Sequence, residues 1–404
     1  MNPKILTVSI LGFLIKSIMH LSDILFHHGE NRKEYYNAVS PPIIQSSNFV
    51  FDNLADFRKA FGEEMDSHIY TRGNNPTVAI LREKLAALEK AEDCLVFASG
   101  ASANAMAILS QVHQGAHVVC VNNAYSWTFN ILTEYLPKFG VTHTFVDGTN
   151  LEEIEAAIQP NTTLLFLESP TSVILELQDL KACAAIAKKH GIVTAIDNSY
   201  ASPIFQRPIE HGIDIVIHSG TKYLNGHSDV VVGVVCASKA IIKKMFYAEF
   251  MTLGAIISPH DAMLVIRGLR TLELRMKRSH KSAIKVTSFL ENHPKIEKVN
   301  YPFSPNAPQY DLAKKQMDGA GGLFSLHLKT DSIEKVEAFF NQLKKFSLAV
   351  SWGGHESLVL PFCAFYNISG KGDTTLPFNL VRFYIGLEDP DWLIEDLEQA
   401  LEVI

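Results

Sequence analysis

The sequence has few cysteines, little excess charge and no G-x-G-x-x-G motif, and each shortage argues against a class of protein. Its 404 residues contain five Cys, an odd number without metal-site spacing, which indicates reduced thiols and not a disulfide framework. The formal net charge of -7 argues against a polyanionic partner such as nucleic acid. Without G-x-G-x-x-G in the first β/α unit, a nucleotide-binding dehydrogenase is also disfavoured.

The apolar run near the N terminus is too short to cross a bilayer. Lys4 precedes ILTVSILGFLI, and Lys16 and His20 then interrupt the run. The run lacks a small-x-small cleavage site, so a secretory leader is not favoured. We therefore expect residues 1–20 to be an over-extended start or a disordered leader, with Met19 as an alternative initiator. We expect a cytoplasmic protein without a membrane partner.

The chain is rich in apolar residues, which occur in short, regularly spaced runs. Hydrophobic residues make up 47% and charged residues 20% of the chain, which allows large buried interiors in two or three domains. Short apolar runs alternate with amphipathic stretches, and this pattern predicts an α/β fold with a mostly parallel, doubly wound sheet. The predicted strands of this sheet are 94–97, 117–121, 142–146, 163–167, 192–196, 213–217 and 230–236, with helices at 126–138, 151–158 and 178–190 among others.

The chain divides into segments of different character. Residues 21–74 contain Pro41-Pro42 and few long periodic stretches, which predicts an extended arm. Such an arm buries little of itself, so we expect it to contact a neighbouring subunit. Residues 75–265 are predicted to form a large ligand-binding domain, and residues 266–404 a C-terminal domain.

One lysine stands at the exit of a predicted buried strand, among small hydroxyl residues. Lys222 follows the strand 213–217 and is flanked by Ser219 and Thr221. Burial disfavours an ammonium ion, so the amine can be neutral near pH 7 and attack a carbonyl carbon. The strand before it ends in Asp197, and hydroxyl groups suit a phosphate. An amine, a carboxylate and a phosphate site together indicate pyridoxal phosphate, in which a carboxylate keeps the pyridine nitrogen protonated.

The stretch from Asp197 to Asp229 resembles the cofactor-lysine signature of the trans-sulfuration family of pyridoxal-phosphate enzymes. It reads DN-x-[FYW]-x-x-P and then, from His218, HS-x-TKY-x-x-GHSD, and related patterns recur from about Ser40 to the C terminus. The resemblance implies fold type I, the aspartate-aminotransferase-like architecture with a smaller α/β C-terminal domain. It also implies cleavage of a carbon–sulfur bond in a sulfur amino acid.

The resemblance also implies where the cofactor phosphate is held. Small residues at 98–103 lead into a predicted helix, whose unsatisfied N–H groups bind anions. The segment YTRGNNPT resembles the family's Y-x-R-x-x-NPT, in which Tyr and Arg reach the phosphate of the neighbouring subunit. A homodimer with shared sites is thereby implied, and a homotetramer is expected. The phosphate-binding residues implied are Gly100, Ala101, Ser219 and Thr221, with Tyr70 and Arg72 from the neighbour; Ala101 departs from the Met of most members.

Further residues are implied in holding the ring and the substrate. Tyr125 matches the Tyr that stacks on the pyridine ring. Arg382 lies in an otherwise apolar run, and a buried Arg needs an anion. The resemblance implies that Arg382 clamps the substrate α-carboxylate, beside Ser351 and Trp352. An Arg paired with Glu388 or Asp389 is the structural alternative.

The pocket residues predict which bond breaks. Val350 stands where cystathionine γ-lyases and γ-synthases carry Glu, while Ser172 and Trp352 match the β-lyase pattern. We therefore predict a cystathionine β-lyase-like enzyme that releases homocysteine, pyruvate and ammonia. A methionine or cystathionine γ-lyase or a cystathionine γ-synthase is the alternative, although Trp127 and Trp352 argue against a methionine γ-lyase pocket. A non-catalytic pyridoxal-phosphate carrier or regulator is the alternative from a different class.

Overall fold

The computed structural model describes residues 19–366, 368 and 374–404. Most of the start predicted at residues 1–20 therefore lies outside the described residues. The strands are β1 Asp93–Phe97, β2 His117–Val121, β3 Thr142–Val146, β4 Thr162–Glu168, β5 Val193–Asp197, β6 Ile215–Ser219, β7 Gly233–Ala237, β8 Ile296–Asn300, β9 Leu323–Leu328, β10 Ser347–Leu348, β11 Leu358–Pro361 and β12 Leu380–Tyr384. The α-helices are α1 Leu21–Phe26, α2 Leu54–Gly62, α3 Pro76–Glu89, α4 Gly100–Leu109, α5 Ser126–Asn130, α6 Leu151–Ala156, α7 Leu180–His190, α8 Ser202–Phe205, α9 Lys239–Met245, α10 Met251–Leu253, α11 Pro259–Leu269, α12 Leu272–Glu291, α13 Tyr310–Gln316, α14 Ile333–Gln342 and α15 Pro390–Leu401.

A seven-stranded sheet forms the larger part of the fold. Its order is β1-β7-β6-β5-β4-β2-β3, and all strands from β6 to β3 in that order run parallel. β7 alone is antiparallel to both of its neighbours, β1 and β6, so the sheet is mixed. Apart from the edge strand β3, the strands are buried throughout their middles because helices cover both faces, as the near-continuous Val and Ile runs require. The predicted α/β fold with a mostly parallel sheet is confirmed.

A five-stranded sheet in the order β10-β11-β12-β9-β8 lies C-terminal to the larger one in sequence. Its β9, β11 and β12 pair antiparallel, and Phe324 of β9 stacks on Phe383 of β12 with ring centroids 5.6 Å apart. The smaller sheet approaches the loop after β6, since the ring of Tyr223 in that loop lies 6.0 Å from the ring of Tyr384 on β12. Residues from both sheets therefore reach a common edge. The domain boundary at residues 265 and 266 stays a prediction.

The segment predicted as an extended arm contains two helices. α1 packs on α3, where the buried amine of Lys84 donates to the carbonyl of Ile24 at 3.1 Å and pairs with Glu30 at 3.0 Å. α2 is capped by Asn53, whose side chain accepts the N–H of Asp56. The sequence analysis missed α2, although Leu54, Phe57 and Phe61 recur at helical spacing; these side chains are exposed in this chain.

The helix predicted at 126–138 changes type along its length. After α5 the chain forms a π-helix at Ile131–Tyr135 and then a 3₁₀ turn at Leu136–Phe139. Pro137 has no N–H to donate to a regular α-helical ladder, which favours the tighter final turn. A second π-helix, Phe246–Phe250, continues α9. No helix in the described ranges combines the length and the apolar character needed to span a membrane.

Candidate active site

A cavity of about 1200 Å³ lies at the carboxyl ends of β4, β5 and β6. Parallel strands deliver their last residues to one edge, which is where α/β sheets bind ligands. The cavity brings together ten of the twelve predicted site residues: Gly100, Ala101, Tyr125, Asp197, Ser219, Thr221, Lys222, Ser351, Trp352 and Arg382. The other two, Tyr70 and Arg72, line a separate cavity of about 390 Å³.

Lys222 lies in this cavity, and the pKa of its amine is lowered. Burial and then the cation of Arg382 lower the pKa of its amine to about 8, with Asp197 opposing both. Nζ donates a hydrogen bond to Oγ of Ser351 at 2.6 Å and lies 5.6 Å from the ring centroid of Trp352. Roughly a tenth of the amine is therefore neutral at pH 7, far more than for an ordinary lysine, as a nucleophile or base requires.

The loop 351–353 packs closely against Lys222, and two of its residues have a positive φ. Ser351 has a φ of 86°, a left-handed conformation that is rare for a residue with a side chain. Gly353 has a φ of 88°, and a Cβ there would lie 2.9 Å from Cα of Lys222. Only glycine fits at Gly353, so the loop is pressed against the backbone that carries the amine.

The predicted phosphate cradle lies at the start of α4. Gly100 packs so tightly on β6 that a Cβ would lie 2.6 Å from both Cβ and Oγ of Ser219. The side chain of Ser99 caps the helix by accepting the N–H of Ser102 at 3.1 Å. The first N–H groups of α4 and Ser219 thus face one small space suited to an anion. The hydroxyl of Thr221 is engaged by Val232, from whose N–H it accepts at 2.9 Å.

The hydrogen bonds between Thr221 and Val232 also explain where β7 begins. The sequence predicted a strand at 230–236, whereas β7 begins at Gly233. The carbonyl of Val232 accepts hydrogen bonds from the N–H and the hydroxyl of Thr221, both at 3.2 Å. Val232 therefore bonds to the loop that carries Lys222 instead of extending the ladder.

Asp197 is buried at the end of β5 and held by three donors. Its Oδ1 accepts from N and Oγ of Ser199 at 2.9 and 2.5 Å, and its Oδ2 accepts from Nδ2 of Asn104 at 3.0 Å. The sequence arguments missed Asn104 and Ser199. A signal was available for Asn104, because it is a polar residue four positions after Gly100 in a stretch of small and apolar residues, on the same helix face.

Glu168, at the end of β4, was quoted in a motif without a role, yet it organises two neighbouring loops. Its carboxylate accepts the backbone N–H of Tyr125 at 2.7 Å and the hydroxyl of Ser172. Burial and then the charge of Asp197 raise the pKa of Glu168 to about 8. The pKa of the Tyr125 phenol is likewise raised by burial and by both carboxylates, so the phenol keeps its proton at neutral pH.

Arg382 lies on β12 with its guanidinium in the cavity. Burial lowers its pKa to about 10, and the negative charge of Glu168 opposes that shift. The alternative partners are engaged elsewhere: Glu388 accepts from N and Oγ of Ser357 at 2.7 and 2.8 Å, and Asp389 caps α15. In the described part of the chain no carboxylate forms an ion pair with Arg382. An incoming anion such as a substrate carboxylate could form an ion pair with this guanidinium.

Comparison with known proteins identifies the family. A family model described as "Cys/Met metabolism PLP-dependent enzyme" matches residues 22–402. The chain belongs to this family. L-methionine γ-lyase of Pseudomonas deceptionensis is 38% identical over 384 residues, covering 94% of this chain and 96% of that protein. Cystathionine γ-lyase of Bacillus subtilis strain 168 is 38% identical over 391 residues, covering 96% and 100%. The crystal structure of metB from Corynebacterium glutamicum is similar with a TM-score of 0.88 and 34% identity, covering 95% of this chain and 98% of that one.

Membership in the Cys/Met metabolism family makes this a PLP-dependent lyase of sulfur amino acid metabolism and confirms the predicted trans-sulfuration family and cofactor. The cavity fits pyridoxal phosphate in its donor chemistry. The space between Gly100 and Ser219, which a Cβ would fill, suits the phosphate, and Asp197 is a buried carboxylate suited to a cationic ring nitrogen. The γ-lyase relatives favour γ-elimination over the β-elimination predicted from the sequence.

The lowered pKa of Lys222 leads to a testable pH dependence. In the cofactor-free protein, acetylation of Lys222 by acetic anhydride should follow the neutral amine and reach half of its plateau rate near pH 8, the pKa of this amine. The rate rises with pH because only the deprotonated amine is nucleophilic. Replacing Arg382 by Ala removes a cation that destabilises the ammonium, so the half-point should move upward. Mass spectrometry of the Lys222 peptide measures both; an unchanged half-point in the variant would contradict the assigned electrostatics.

Proposed function

We propose that this PLP-dependent lyase cleaves the carbon–sulfur bond of a sulfur amino acid by γ-elimination. The observation that carries the proposal is Lys222, a partly neutral amine in one cavity with the buried carboxylate of Asp197 and the cation of Arg382. The γ-lyase names of relatives that align over nearly the whole chain support the choice of the γ bond.

Each residue has a proposed role that follows from its chemistry. When bound, pyridoxal phosphate supplies an aldehyde for amines and a cationic ring that takes up the electrons of a broken C–H bond. Arg382 fixes the substrate α-carboxylate so that Cα faces Lys222, whose Nζ takes the Cα proton. Asp197 keeps the ring cationic. Tyr125, whose phenol keeps its proton, covers the ring and can give that proton to the departing sulfur.

The γ-reaction asks more of the base than the β-reaction does. β-Elimination needs removal of the Cα proton alone, whereas γ-elimination also needs removal of a Cβ proton. Nζ of Lys222 donates to a neighbouring hydroxyl, Oγ of Ser351, 2.6 Å away, which fixes the position of the amine in the cavity. This contact supports repeated proton transfer by one base. The same contact also serves β-elimination, so products must decide between them.

A product assay tests the proposal directly. The purified holoenzyme is given methionine or cystathionine, and the released keto acid is separated by chromatography. We expect 2-oxobutyrate with ammonia, accompanied by methanethiol from methionine and cysteine from cystathionine. If the protein with bound cofactor releases neither 2-oxobutyrate nor pyruvate from any sulfur amino acid, the lyase function is overturned and a non-catalytic carrier is favoured. The Lys222→Ala protein is the matched control for background hydrolysis.

β-Elimination of cystathionine to homocysteine, pyruvate and ammonia is the second candidate. A specific observation favours it: Trp352 lies beside the amine of Lys222 and packs on Tyr223 with ring centroids 5.4 Å apart. Ser172 and Val350, the other residues of the β-lyase pattern, line the same cavity. Pyruvate and homocysteine as dominant products would replace the γ-proposal with this one.

Shared active sites between subunits are also part of the proposal. Tyr70 and Arg72 are exposed and line a cavity apart from that of Lys222, so in this chain they do not reach their own site. We propose that they reach the phosphate of a neighbouring subunit in a homodimer, and that dimers pair as a homotetramer. The large domain 75–265 and the C-terminal domain 266–404 would each contribute to every site, since Ser351 and Arg382 come from the latter.

Hybrid dimers test the sharing. Arg72→Ala and Lys222→Ala homodimers should each be nearly inactive. When they are co-expressed and the hybrid is isolated with two affinity tags, one of its two sites has both an intact lysine and an intact arm. About half of the activity per dimer should return, as symmetry requires. Hybrids of confirmed composition that stay inactive would favour sites built within single subunits.

A further inference from the structure

Two buried carboxylates stand next to each other at the carboxyl edge of the larger sheet. Glu168 ends β4 and Asp197 ends β5, and the two are paired in the register of these parallel strands. Glu168 is 5% exposed and Asp197 is 7% exposed. Two like charges with so little hydration oppose each other's ionisation. The surrounding hydrogen bonds therefore decide which of the two carries the charge.

The hydrogen bonds are unequal. Asp197 accepts three, two from Ser199 and one from Nδ2 of Asn104. Glu168 accepts two, from the backbone of Tyr125 and the hydroxyl of Ser172. Donors to a carboxylate stabilise its charged form. The additional donor on Asp197 is the amide of Asn104, which therefore biases the pair.

Asn104 also joins two parts of the site. It lies one helical turn after Gly100 on α4, so the helix that offers its first N–H groups to an anion also bonds to Asp197. Ser199 makes a similar link, because its Oγ accepts the N–H of Ser219 at 2.6 Å while donating to Asp197. Asn104 is only 3% exposed, and its Oδ1 has no partner among the described residues. An amide is costly to bury in this way, and a bond to a charged group offsets the cost.

We propose that Asn104 is a positioning residue that, together with Ser199, holds the carboxylate of Asp197 and aims it at the cofactor ring, beside the neighbouring carboxyl of Glu168. The inference rests on the proposed role of Asp197. In this arrangement Glu168 carries a proton near pH 7, because burial and Asp197 raise its pKa to about 8. A neutral carboxyl can still position the two loops by accepting the N–H of Tyr125 and donating to the hydroxyl of Ser172.

The electrostatics of the surrounding groups agree with this assignment. The pKa of Glu168 is raised to about 8, first by burial and then by Asp197, while Ser172, Tyr125 and Arg382 oppose the rise. The other titratable groups that face Asp197 are Tyr125 and Lys222. Lys222 and Arg382 are the cations of the cavity: Asp197 opposes the lowering of the pKa of Lys222, and Glu168 opposes the lowering of the pKa of Arg382.

The experiment compares the affinity for pyridoxal phosphate, measured by titration of the cofactor-free proteins in the absence of substrate. Asn104→Leu keeps the approximate volume and removes the donor. We expect it to weaken cofactor binding by about 10- to 100-fold, as for loss of a hydrogen bond to a charged group. It should also change the pH dependence of the bound cofactor's visible absorption, which reports protonation of the ring. Asn104→Asp, an isosteric change, should be at least as weak, since it adds a third carboxyl group.

Removing the competing carboxylate should rescue the variant. Glu168→Gln keeps an acceptor for the N–H of Tyr125 and can donate to Ser172, but it cannot ionise. The double variant Asn104→Leu with Glu168→Gln should therefore regain most of the lost affinity and the absorption profile of the wild type. Loss of packing around Asn104 would show no such rescue. Thermal melting of each cofactor-free protein verifies folding, and if the Leu variant does not fold, the Asp variant carries the same rescue test.

The outcomes separate this inference from the proposed role of Asp197. Asp197→Asn serves as the reference. If it binds the cofactor like the wild type with an unchanged spectrum, the proposed role of Asp197 is wrong. If Asp197→Asn is impaired while both Asn104 variants stay within threefold of the wild type, the role of Asn104 alone is overturned. Impaired Asn104 variants that Glu168→Gln does not rescue also overturn it.

Discussion

Replacing Lys222 by Ala is expected to lower kcat by at least about a thousandfold and to leave the fold intact. A positioned acid or base contributes about 10²- to 10⁴-fold by itself, and Lys222 is proposed to be both the amine that holds the cofactor and the base. The side chain of Lys222 is only partly buried, and its hydrogen bond goes to the hydroxyl of Ser351, so its truncation should leave the packing of both sheets in place. Steady-state production of keto acid measures the loss.

Two further variants sharpen this result. Lys222→Arg keeps a cation near Asp197 but offers no neutral amine at neutral pH, so it should be as inactive as the Ala variant. Lys277→Ala removes an exposed lysine that pairs with Glu273 and should retain full activity. Circular dichroism and melting of the three proteins verify the fold. Activity of Lys222→Ala within tenfold of the wild type would show that this amine is not the base.

The placement of Lys222 and Asp197 in one cavity could be predicted because strand ends are encoded locally. Apolar runs at 192–196 and 213–217 stop at Asp197 and shortly before Lys222, and parallel strands bring such ends together. The alternation of apolar and amphipathic stretches likewise predicted the larger sheet, because burial on both faces leaves a clear pattern in sequence. Local pattern and global topology agree in this part of the chain.

Long-range hydrogen bonds could not be predicted in this way. Asn104 and Asp197 are 93 positions apart, and nothing in the spacing of either identifies the other. The contact of Ser351 with Lys222 joins residues 129 positions apart and depends on a left-handed backbone conformation. The preference for the γ bond came from the relatives, because Val350 and Trp352 describe only the walls of the pocket. Sequence predicts which groups reach the cavity better than it predicts how they are held.

The replacement of Arg382 by Ala is expected to reduce kcat/KM by about 100- to 1000-fold, mostly through KM, with little loss of cofactor. Truncating one partner of a desolvated charge pair costs about 2–5 kcal/mol, and the partner proposed for Arg382 is the substrate carboxylate. The guanidinium has no ion-pair partner among the described residues, so removing it breaks no ion pair. The one carboxyl that its charge affects is Glu168, whose pKa Arg382 lowers. Without Arg382, Glu168 holds its proton more firmly. That response keeps the variant folded.

Affinity for an unreactive amino acid such as glycine, followed by the absorption of the bound cofactor, separates binding from turnover. Arg382→Lys should recover only part of the affinity, because an ammonium cannot match a carboxylate with two parallel hydrogen bonds. Arg278→Ala is the matched control, since this exposed arginine has a single acceptor among the described residues, the carbonyl of Glu388 at 2.9 Å. If Arg382→Ala lost the cofactor while still binding glycine like the wild type, Arg382 would belong to the cofactor site, and the substrate carboxylate would need another cation.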